Sequence, residues 1–239
     1  MTCALKLILI AVISYLLGSL NFGVLLSRKF ENEDVRSKGS GNAGTTNMLR
    51  NYGKGMAVLT IVGDMAKVMV AILIAKLIIS ESELSAYSIF ADNTNIIIKS
   101  FAGLFAVLGH IFPCYFNFKG GKGVATSGGM VFMIDWRIAL ILLTMFILVV
   151  LITKYVSLGS LVMAFFYPVF IFVFYKSALL TVIALVFAII VFIAHRENIK
   201  KLINEIDKYA QKKQDYVIAQ NKKGDYFVAF IMILSLIHI

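Results

Sequence analysis

The sequence predicts an all-α integral membrane protein with seven transmembrane helices, a short or broken fourth helix and the amino terminus outside. Of its 239 residues, 60% are apolar and only 15% are charged, whereas about a quarter of the residues of a soluble domain are charged. Long uncharged runs also recur along most of the chain, and ~20 residues at ~1.5 Å each cross a ~30 Å hydrocarbon layer. These observations exclude a soluble enzyme, a coiled coil and a disordered chain.

Seven apolar segments are the candidate spans: residues 7–26, 55–79, 100–118, 124–134, 138–153, 155–175 and 178–194. The first is expected to be a retained helix rather than a signal peptide, because it is too long for a signal core and lacks a small-residue cleavage site. A single helix over residues 124–153 would be ~45 Å long, too long without strong tilt. The alternative is a break at Asp135-Trp136-Arg137.

The distribution of basic residues chooses between these two alternatives. Loop 28–54 holds six Lys and Arg residues and segment 195–225 holds eight, whereas loop 80–99 holds one Lys against three acids. Cytoplasmic loops are the ones enriched in Lys and Arg, so the first two lie inside and the third lies outside. Three spans precede loop 119–122, so this loop is cytoplasmic as well, and the chain must then cross the membrane an even number of times to be inside again at residue 195. A break in segment 124–153 gives four such crossings and a total of seven spans, whereas one helix there gives only three crossings.

The composition also limits the partners of the protein. The net charge is +10, and in a membrane chain such an excess sets orientation and meets anionic headgroups or anionic substrates, so no nucleic-acid partner is expected. Cys3 and Cys114 are the only cysteines, which excludes a disulfide framework or a cysteine metal site.

Residues 1–204 are predicted to form the membrane domain. Residues 205–239 form a basic cytoplasmic tail, whose apolar end (226–239) is too short to span and resembles translated adapter sequence.

The first polar cluster lies between Gly39 and Arg50. It contains Gly39, Ser40, Gly41, Asn42, Thr46, Asn47 and Arg50. Glycines allow backbone N–H groups to converge on an anion, hydroxyl and amide groups add donors, and the arginine fork matches phosphate oxygens. Gly/Ser/Asn stretches are more often flexible linkers, and that alternative is favoured for this segment considered alone.

The second polar cluster follows Gly109-His110 and opens a predicted helix. It contains Lys119, Gly120, Gly121, Lys122 and Gly123. Two lysines among glycines at a helix amino terminus suit an anion. The segment is not a Walker A loop, because Gly123 follows Lys122 and no strand precedes it. Orientation charge beside a span is an equally good explanation of this loop alone.

The third cluster, His195-Arg196-Glu197-Asn198, follows the last span. A neutral imidazole at His195 can accept a proton near neutral pH, although a histidine at a membrane interface is more often a hydrogen-bonded anchor. Ser157 is expected on the same side, where it either joins the site or caps a helix.

Asp64 is an acid inside the second predicted span, with Lys67 three residues further on. Intramembrane acids are candidates for function. We expect a structural polar tie between these two residues instead, because an unpaired carboxylate beside a phosphate site would repel the ligand.

Taken together, segments 40–50, 109–126 and 195–199 resemble the three motifs of the bacterial acyl-phosphate:glycerol-3-phosphate acyltransferases, the PlsY family. Residues 15–23 and the Gly63-Asp64-x-x-Lys67 segment also resemble the first two helices of that family. The resemblance covers roughly residues 7–204. The sequence departs from the pattern at Asn21, where proline is usual, at Thr45, where alanine is usual, and at residues 205–207, where Gly-x-Glu is usual.

This resemblance implies transfer of an acyl chain from acyl phosphate to the 1-hydroxyl of glycerol 3-phosphate, which gives lysophosphatidic acid and phosphate. We expect His195, Asn198 and Ser40 to act in catalysis. Substrate binding is assigned to Gly39, Gly41, Asn42, Thr46, Asn47, Arg50, Lys119, Gly120, Gly121, Lys122, Gly123, Ser157 and Arg196. Because phosphate is already a leaving group, no metal or cofactor is expected. The protein is expected to be a monomer in the bacterial inner membrane, with its active site on the cytoplasmic side.

Two other functions compete with this interpretation. A transporter of phosphorylated anions would also use a basic cytoplasmic funnel, but transporters usually carry internal repeats and a site near mid-membrane, and neither is evident. A non-catalytic binder of anionic lipid would account for the basic tail but not for three separate motifs.

Overall fold

The computed structural model describes residues 1–222, and the described part contains helices and no strands. The ten α-helices are α1 (Cys3–Gly18), α2 (Phe22–Phe30), α3 (Thr45–Ile78), α4 (Glu81–Ser85), α5 (Thr94–Ile111), α6 (Val124–Ile134), α7 (Trp136–Thr153), α8 (Val156–Tyr175), α9 (Ala178–Ala194) and α10 (Arg196–Lys222). The predicted apolar end, residues 226–239, lies outside the described residues.

Five helical segments among the described residues are long and apolar enough to cross a membrane, or six if α9 and the helix after it count as one span. Helix α6 is also apolar but is shorter than these segments. The predicted all-helical membrane class is therefore confirmed, whereas the count of seven and the outside amino terminus stay predictions.

The predicted break at Asp135 is present, because α6 ends at Ile134 and α7 begins at Trp136. The Tyr175 hydroxyl donates to Asp135 Oδ2 over 2.8 Å, which brings this break to the end of α8. At the opposite end of α6, the Gly121 N–H donates to the His110 carbonyl at the end of α5. The two helices are therefore separate elements, and the assignment of α6 as a crossing of its own stays a prediction.

The prediction of one continuous helix over residues 7–26 was wrong. The chain leaves the helix after Gly18 and starts α2 at Phe22. The Leu20 carbonyl lies in this break and accepts a hydrogen bond from Lys67 Nζ at 2.9 Å. A regular helix would have given that carbonyl to a backbone N–H, so the break supplies an acceptor to a buried ammonium.

The bounds of the second and third spans also differ from the prediction. Helix α3 starts at Thr45 rather than at residue 55, with a non-helical Gly53 (φ +82°) inside it. Helix α5 starts at Thr94 and ends at Ile111. It ends before residue 118 because Pro113 disfavours helical geometry at the residue before it.

Two apolar cores hold the helices together. The large core takes side chains from α1 and from every helix from α3 to α9. A small core of Val24, Val35, Ala43, Met48 and Phe116 fixes the segment before α3 against α2 and the segment after α5. Helix α7 buries only Ile138 and Leu142, so most of its surface is available to lipid.

The chain divides into two compact units, one covering Met1–His195 and one beginning at Arg196. The predicted boundary after residue 204 falls inside α10, and the assignment of residues 205–239 to a tail stays a prediction.

Candidate active site

A buried polar cluster joins α3 to the end of α5. Lys67 Nζ lies 2.9 Å from Asp64 Oδ1 and donates to the Leu20 carbonyl at 2.9 Å. It also lies 2.9 Å from His110 Nδ1. The side chains of Asp64 and Lys67 are 1% and 2% exposed. The expected polar tie between Asp64 and Lys67 is present, and it includes His110, which the sequence reasoning had not connected to it.

The glycine loop 119–123 is attached to the end of α5 by its backbone. Gly120 N–H donates to the Ile111 carbonyl and Gly121 N–H to the His110 carbonyl, both at 3.1 Å. These two N–H groups therefore face inward and satisfy carbonyls left open by the helix terminus. This differs from the predicted concavity of N–H groups aimed at a ligand, so Gly120 and Gly121 hold the loop in place.

The charge of Lys122 acts on His195 within the first unit, although 73 positions separate the two residues in the sequence. His195 follows α9, is 1% exposed and has Nδ1 2.8 Å from the Val191 carbonyl. Burial lowers the pKa of His195, and the nearby charge of Lys122 lowers it further. Because a carbonyl only accepts, neutral His195 carries its proton on Nδ1 and keeps the Nε2 lone pair available.

The first cluster is organised by Asn47. Its Nδ2 donates to the carbonyls of Val35, Lys38 and Asn42, and its Oδ1 accepts from the Ser40 N–H. Asn47 is 1% exposed, so its side chain builds the loop from inside. The loop is thus an ordered structure rather than the linker that its composition favours.

The other members of the first cluster lie closer to the surface. Asn42 Oδ1 accepts from the Gly44 N–H at 2.9 Å and so shapes the turn before α3. The exposed residues of this cluster are Gly39, Ser40, Gly41, Thr46 and Arg50. Their hydroxyl and guanidinium groups are accessible to a ligand.

Arg36 connects the first two clusters, and the sequence analysis missed it. Its Nη1 donates to the carbonyls of Phe116, at 2.9 Å, and Lys119, at 2.6 Å. Asp34 holds the guanidinium through Nε and Nη2, and the Arg36 side chain keeps the pKa of Asp34 well below its usual range. The Asp-x-Arg spacing was the available signal, because it allows one acid to orient an arginine two residues later.

The remaining predicted residues are placed as follows. Lys119 is exposed, Lys122 is half-buried, and Ser157 is half-buried in the first turn of α8. Arg196 and Asn198 lie in the first turn of α10, which belongs to the second unit. Their participation in a common site stays a prediction.

Within the first unit, the arrangement combines a backbone-anchored lysine loop, a buried neutral histidine and an ordered loop with exposed polar groups, all attached to apolar helices. Such a set suits an anionic headgroup joined to an apolar chain, because cations hold the charge and the helices face lipid. The class defined by fold and site is therefore an integral membrane protein acting on phosphorylated lipid-type molecules.

Comparison with known proteins identifies the family. Residues 8–205 match the family described as glycerol-3-phosphate acyltransferase. A glycerol-3-phosphate acyltransferase of Clostridioides difficile is 40% identical over 208 residues, covering 87% of this chain and 97% of the relative. One of Bartonella henselae is 40% identical over 195 residues, covering 82% and 87%. The chain belongs to the glycerol-3-phosphate acyltransferase family, which confirms the resemblance found in its motifs.

The fold agrees with solved structures of this family. The crystal structure of PlsY, an integral membrane glycerol 3-phosphate acyltransferase, in its glycerol 3-phosphate form superposes with a TM-score of 0.71 at 35% identity. That match covers 83% of this chain and 92% of the other. The lysophosphatidic acid form gives a TM-score of 0.69 at 33% identity. The chain is thus a membrane acyltransferase of the type that acts in phospholipid synthesis.

Proposed function

We propose that this enzyme transfers an acyl chain from acyl phosphate to the 1-hydroxyl of glycerol 3-phosphate. The products are lysophosphatidic acid and inorganic phosphate. The reaction takes place at the cytoplasmic side of the bacterial inner membrane, on a monomer. The observation that supports the proposal is that the charge of Lys122, on an anchored loop, acts on the imidazole of His195. The Nδ1 atom of this buried histidine lies 2.8 Å from the Val191 carbonyl, which leaves Nε2 as its basic nitrogen.

The charges of the two substrates explain why cations are needed. Both substrates carry phosphate, so about four negative charges meet, and their repulsion at ~6 Å is of order 1–3 kcal/mol per pair at effective dielectric constants of 20–80. Opposite charge comes from Lys119 and Lys122 on the glycine loop and from Arg50 near the start of α3. Arg196 is a further candidate. Holding both phosphates also places the hydroxyl near the acyl carbon.

In the reaction, the 1-hydroxyl oxygen forms a bond to the acyl carbon, and the bond from that carbon to the phosphate oxygen breaks. The hydroxyl proton passes either to His195 Nε2 or to a phosphate oxygen, with His195 then orienting the hydroxyl. Ser40 and Asn198 are assigned as donors to the developing oxyanion. Because phosphate is a good leaving group, the step needs neither an enzyme nucleophile nor a metal.

The identity of the acyl donor is tested with the purified full chain in detergent. We expect release of inorganic phosphate from acyl phosphate only when glycerol 3-phosphate is present, together with formation of lysophosphatidic acid. Acyl-CoA is offered in parallel and is expected to give no product. Product from acyl-CoA alone would contradict the proposed donor.

Family membership supports acyl transfer over transport of phosphorylated anions, and accumulation of glycerol 3-phosphate in proteoliposomes without acylation would support transport instead.

A further inference from the structure

Resting on the proposed function, we propose that His110 is a positioning residue. The buried pair Asp64–Lys67 fixes the orientation of the His110 ring. The ring contacts Gly121 of the glycine loop and so holds Lys122 in a position where it can bind a substrate phosphate. His110 touches no reacting atom in this proposal and acts through the loop.

The first step of the argument is the protonation of the ring. Lys67 Nζ lies 2.9 Å from His110 Nδ1. An ammonium group has only donors. Asp64 Oδ1 lies 3.4 Å from the same Nδ1 but only 2.9 Å from the ammonium. We therefore assign the shorter Lys67 contact as the hydrogen bond, with Nδ1 accepting through its lone pair and a neutral ring protonated on Nε2. A charged ring would set two cationic N–H groups against each other at this distance.

The second step is the contact between the ring and the loop. A Cβ built on Gly121 would lie 2.1 Å from His110 Nε2, 3.0 Å from Cε1 and 3.1 Å from Cδ2. The Nε2 edge of the imidazole ring thus points at the position that a Gly121 Cβ would take, and only glycine fits there. The same histidine accepts the Gly121 N–H through its carbonyl at 3.1 Å. One residue therefore contacts the loop through both its ring and its backbone.

The third step concerns the elements that the cluster connects. Lys67 and Asp64 belong to α3, the Leu20 carbonyl belongs to the break between α1 and α2, and His110 ends α5. A shift of any of these elements would move the ring. Because Asp64 is paired with Lys67, its negative charge is neutralised and does not repel an anionic substrate at the glycine loop. Lys122 follows Gly121 directly, so displacement of Gly121 moves the lysine.

The test is a double-mutant cycle between the ring and the loop. Gly121→Ala pushes a methyl group into the ring, and we expect the KM for a phosphorylated substrate to rise about tenfold or more. His110→Asn removes the ring but keeps an oxygen that accepts from Lys67, and a rise of about threefold is expected. The double variant Gly121→Ala/His110→Asn has room for the methyl group, so its KM should lie below that of Gly121→Ala alone.

Two control variants make this cycle specific. Gly128 lies in α6, the helix that follows the loop. A Cβ built there meets nothing within 4 Å, so Gly128→Ala should leave KM and kcat unchanged. At Gly120, a Cβ would lie 2.0 Å from the His110 backbone oxygen. Removing the ring cannot relieve that contact, so Gly120→Ala/His110→Asn should show no recovery.

Three results would overturn the proposal. The first is a double variant whose KM is the product of the two single effects. The second is His110→Asn with unchanged KM and only a lower melting temperature, which indicates a purely structural role. The third result applies if the Gly121→Ala variant does not fold. In that case, a His110→Asn variant with the same ratio of KM to kcat as the wild type would contradict the positioning role.

Failure of the proposed function is detected separately. If the wild-type enzyme releases no phosphate from acyl phosphate, the proposed function fails. The same variants are then compared for thermal stabilisation by inorganic phosphate in detergent. We expect weaker stabilisation of Gly121→Ala and partial recovery in the double variant, and equal stabilisation of all variants would overturn the positioning proposal.

Discussion

Two carboxylates, Asp64 and Asp135, form the same kind of cluster in different surroundings. Asp64 pairs with Lys67 and lies 3.4 Å from the His110 ring. Asp135 pairs with Arg137 and accepts from the Tyr175 hydroxyl. The Lys67 side chain is 2% exposed, whereas that of Arg137 is 55% exposed. Each acid thus has a cation and a ring, but only one cluster is closed to solvent.

The difference decides what each cluster can do. A buried ion pair is costly to form, and removing one partner leaves a charge that water cannot reach. The Asp64 cluster must therefore stay intact, and it can hold the glycine loop in one position. A solvent-exposed partner can be replaced by water with little loss. The Asp135 cluster marks the junction of α6 and α7, but no loop of the site depends on it.

The largest expected effect breaks the buried cluster. Asp64→Asn leaves the Lys67 ammonium buried without a counter-charge, and we expect a loss of about 3–5 kcal/mol in the free energy of unfolding in detergent. The double variant Asp64→Asn/Lys67→Met removes both charges and should lose clearly less. A single variant as stable as the double variant would show that the pair is not closed to water.

A second prediction concerns activity rather than stability. Lys122→Ala and Arg50→Ala should each lower kcat/KM by about a hundredfold while the melting temperature stays close to that of the wild type, because they remove charge that serves the substrate phosphates. Lys29→Ala, which removes an exposed cation from α2, is the control and should remain active. Near-normal turnover of the Lys122 and Arg50 variants would contradict the assignment of phosphate binding.

The smallest expected effect concerns the open cluster. The Arg137 side chain lowers the pKa of Asp135 to about 2 from 3.8. A lowered pKa gives stability that is present above pH 3.8 and is lost as the pH falls toward 2. Arg137→Gln should lower the melting temperature modestly at pH 7, where Asp135 is ionised, because the lost partner is largely exposed. The difference from the wild type should shrink as the pH falls from 5 toward 2. A large loss at pH 7 would mean that Asp135 resembles Asp64 after all.

The sequence predicted the features that depend on local composition. Apolar runs gave the spans from residue 124 to 194 closely, and the charged Asp135-Trp136-Arg137 turn located the break. The motifs identified the family, and the roles that they assign to individual residues stay predictions. The break after Gly18 was not predicted because the hydrogen bond that it allows, from Lys67 to the Leu20 carbonyl, involves a residue of another helix.

The inward orientation of the Gly120 and Gly121 N–H groups could not be predicted for a similar reason. It depends on the open carbonyls at the end of α5, and a glycine-rich sequence alone is compatible with N–H groups turned either way. Arg36 was missed because its partners are backbone carbonyls about 80 residues away, which have no signature in the sequence.

The central claim is that Lys122 of the second motif lies close enough to His195 for its charge to act on the imidazole ring. It is tested most directly by NMR titration of histidine-labelled protein in detergent, with the His195 signal assigned by its absence in His195→Asn. We predict a pKa of His195 below 6.5 in the wild type and a higher value in Lys122→Met, because that variant removes the positive charge. An identical pKa of His195 in the two proteins would contradict the account.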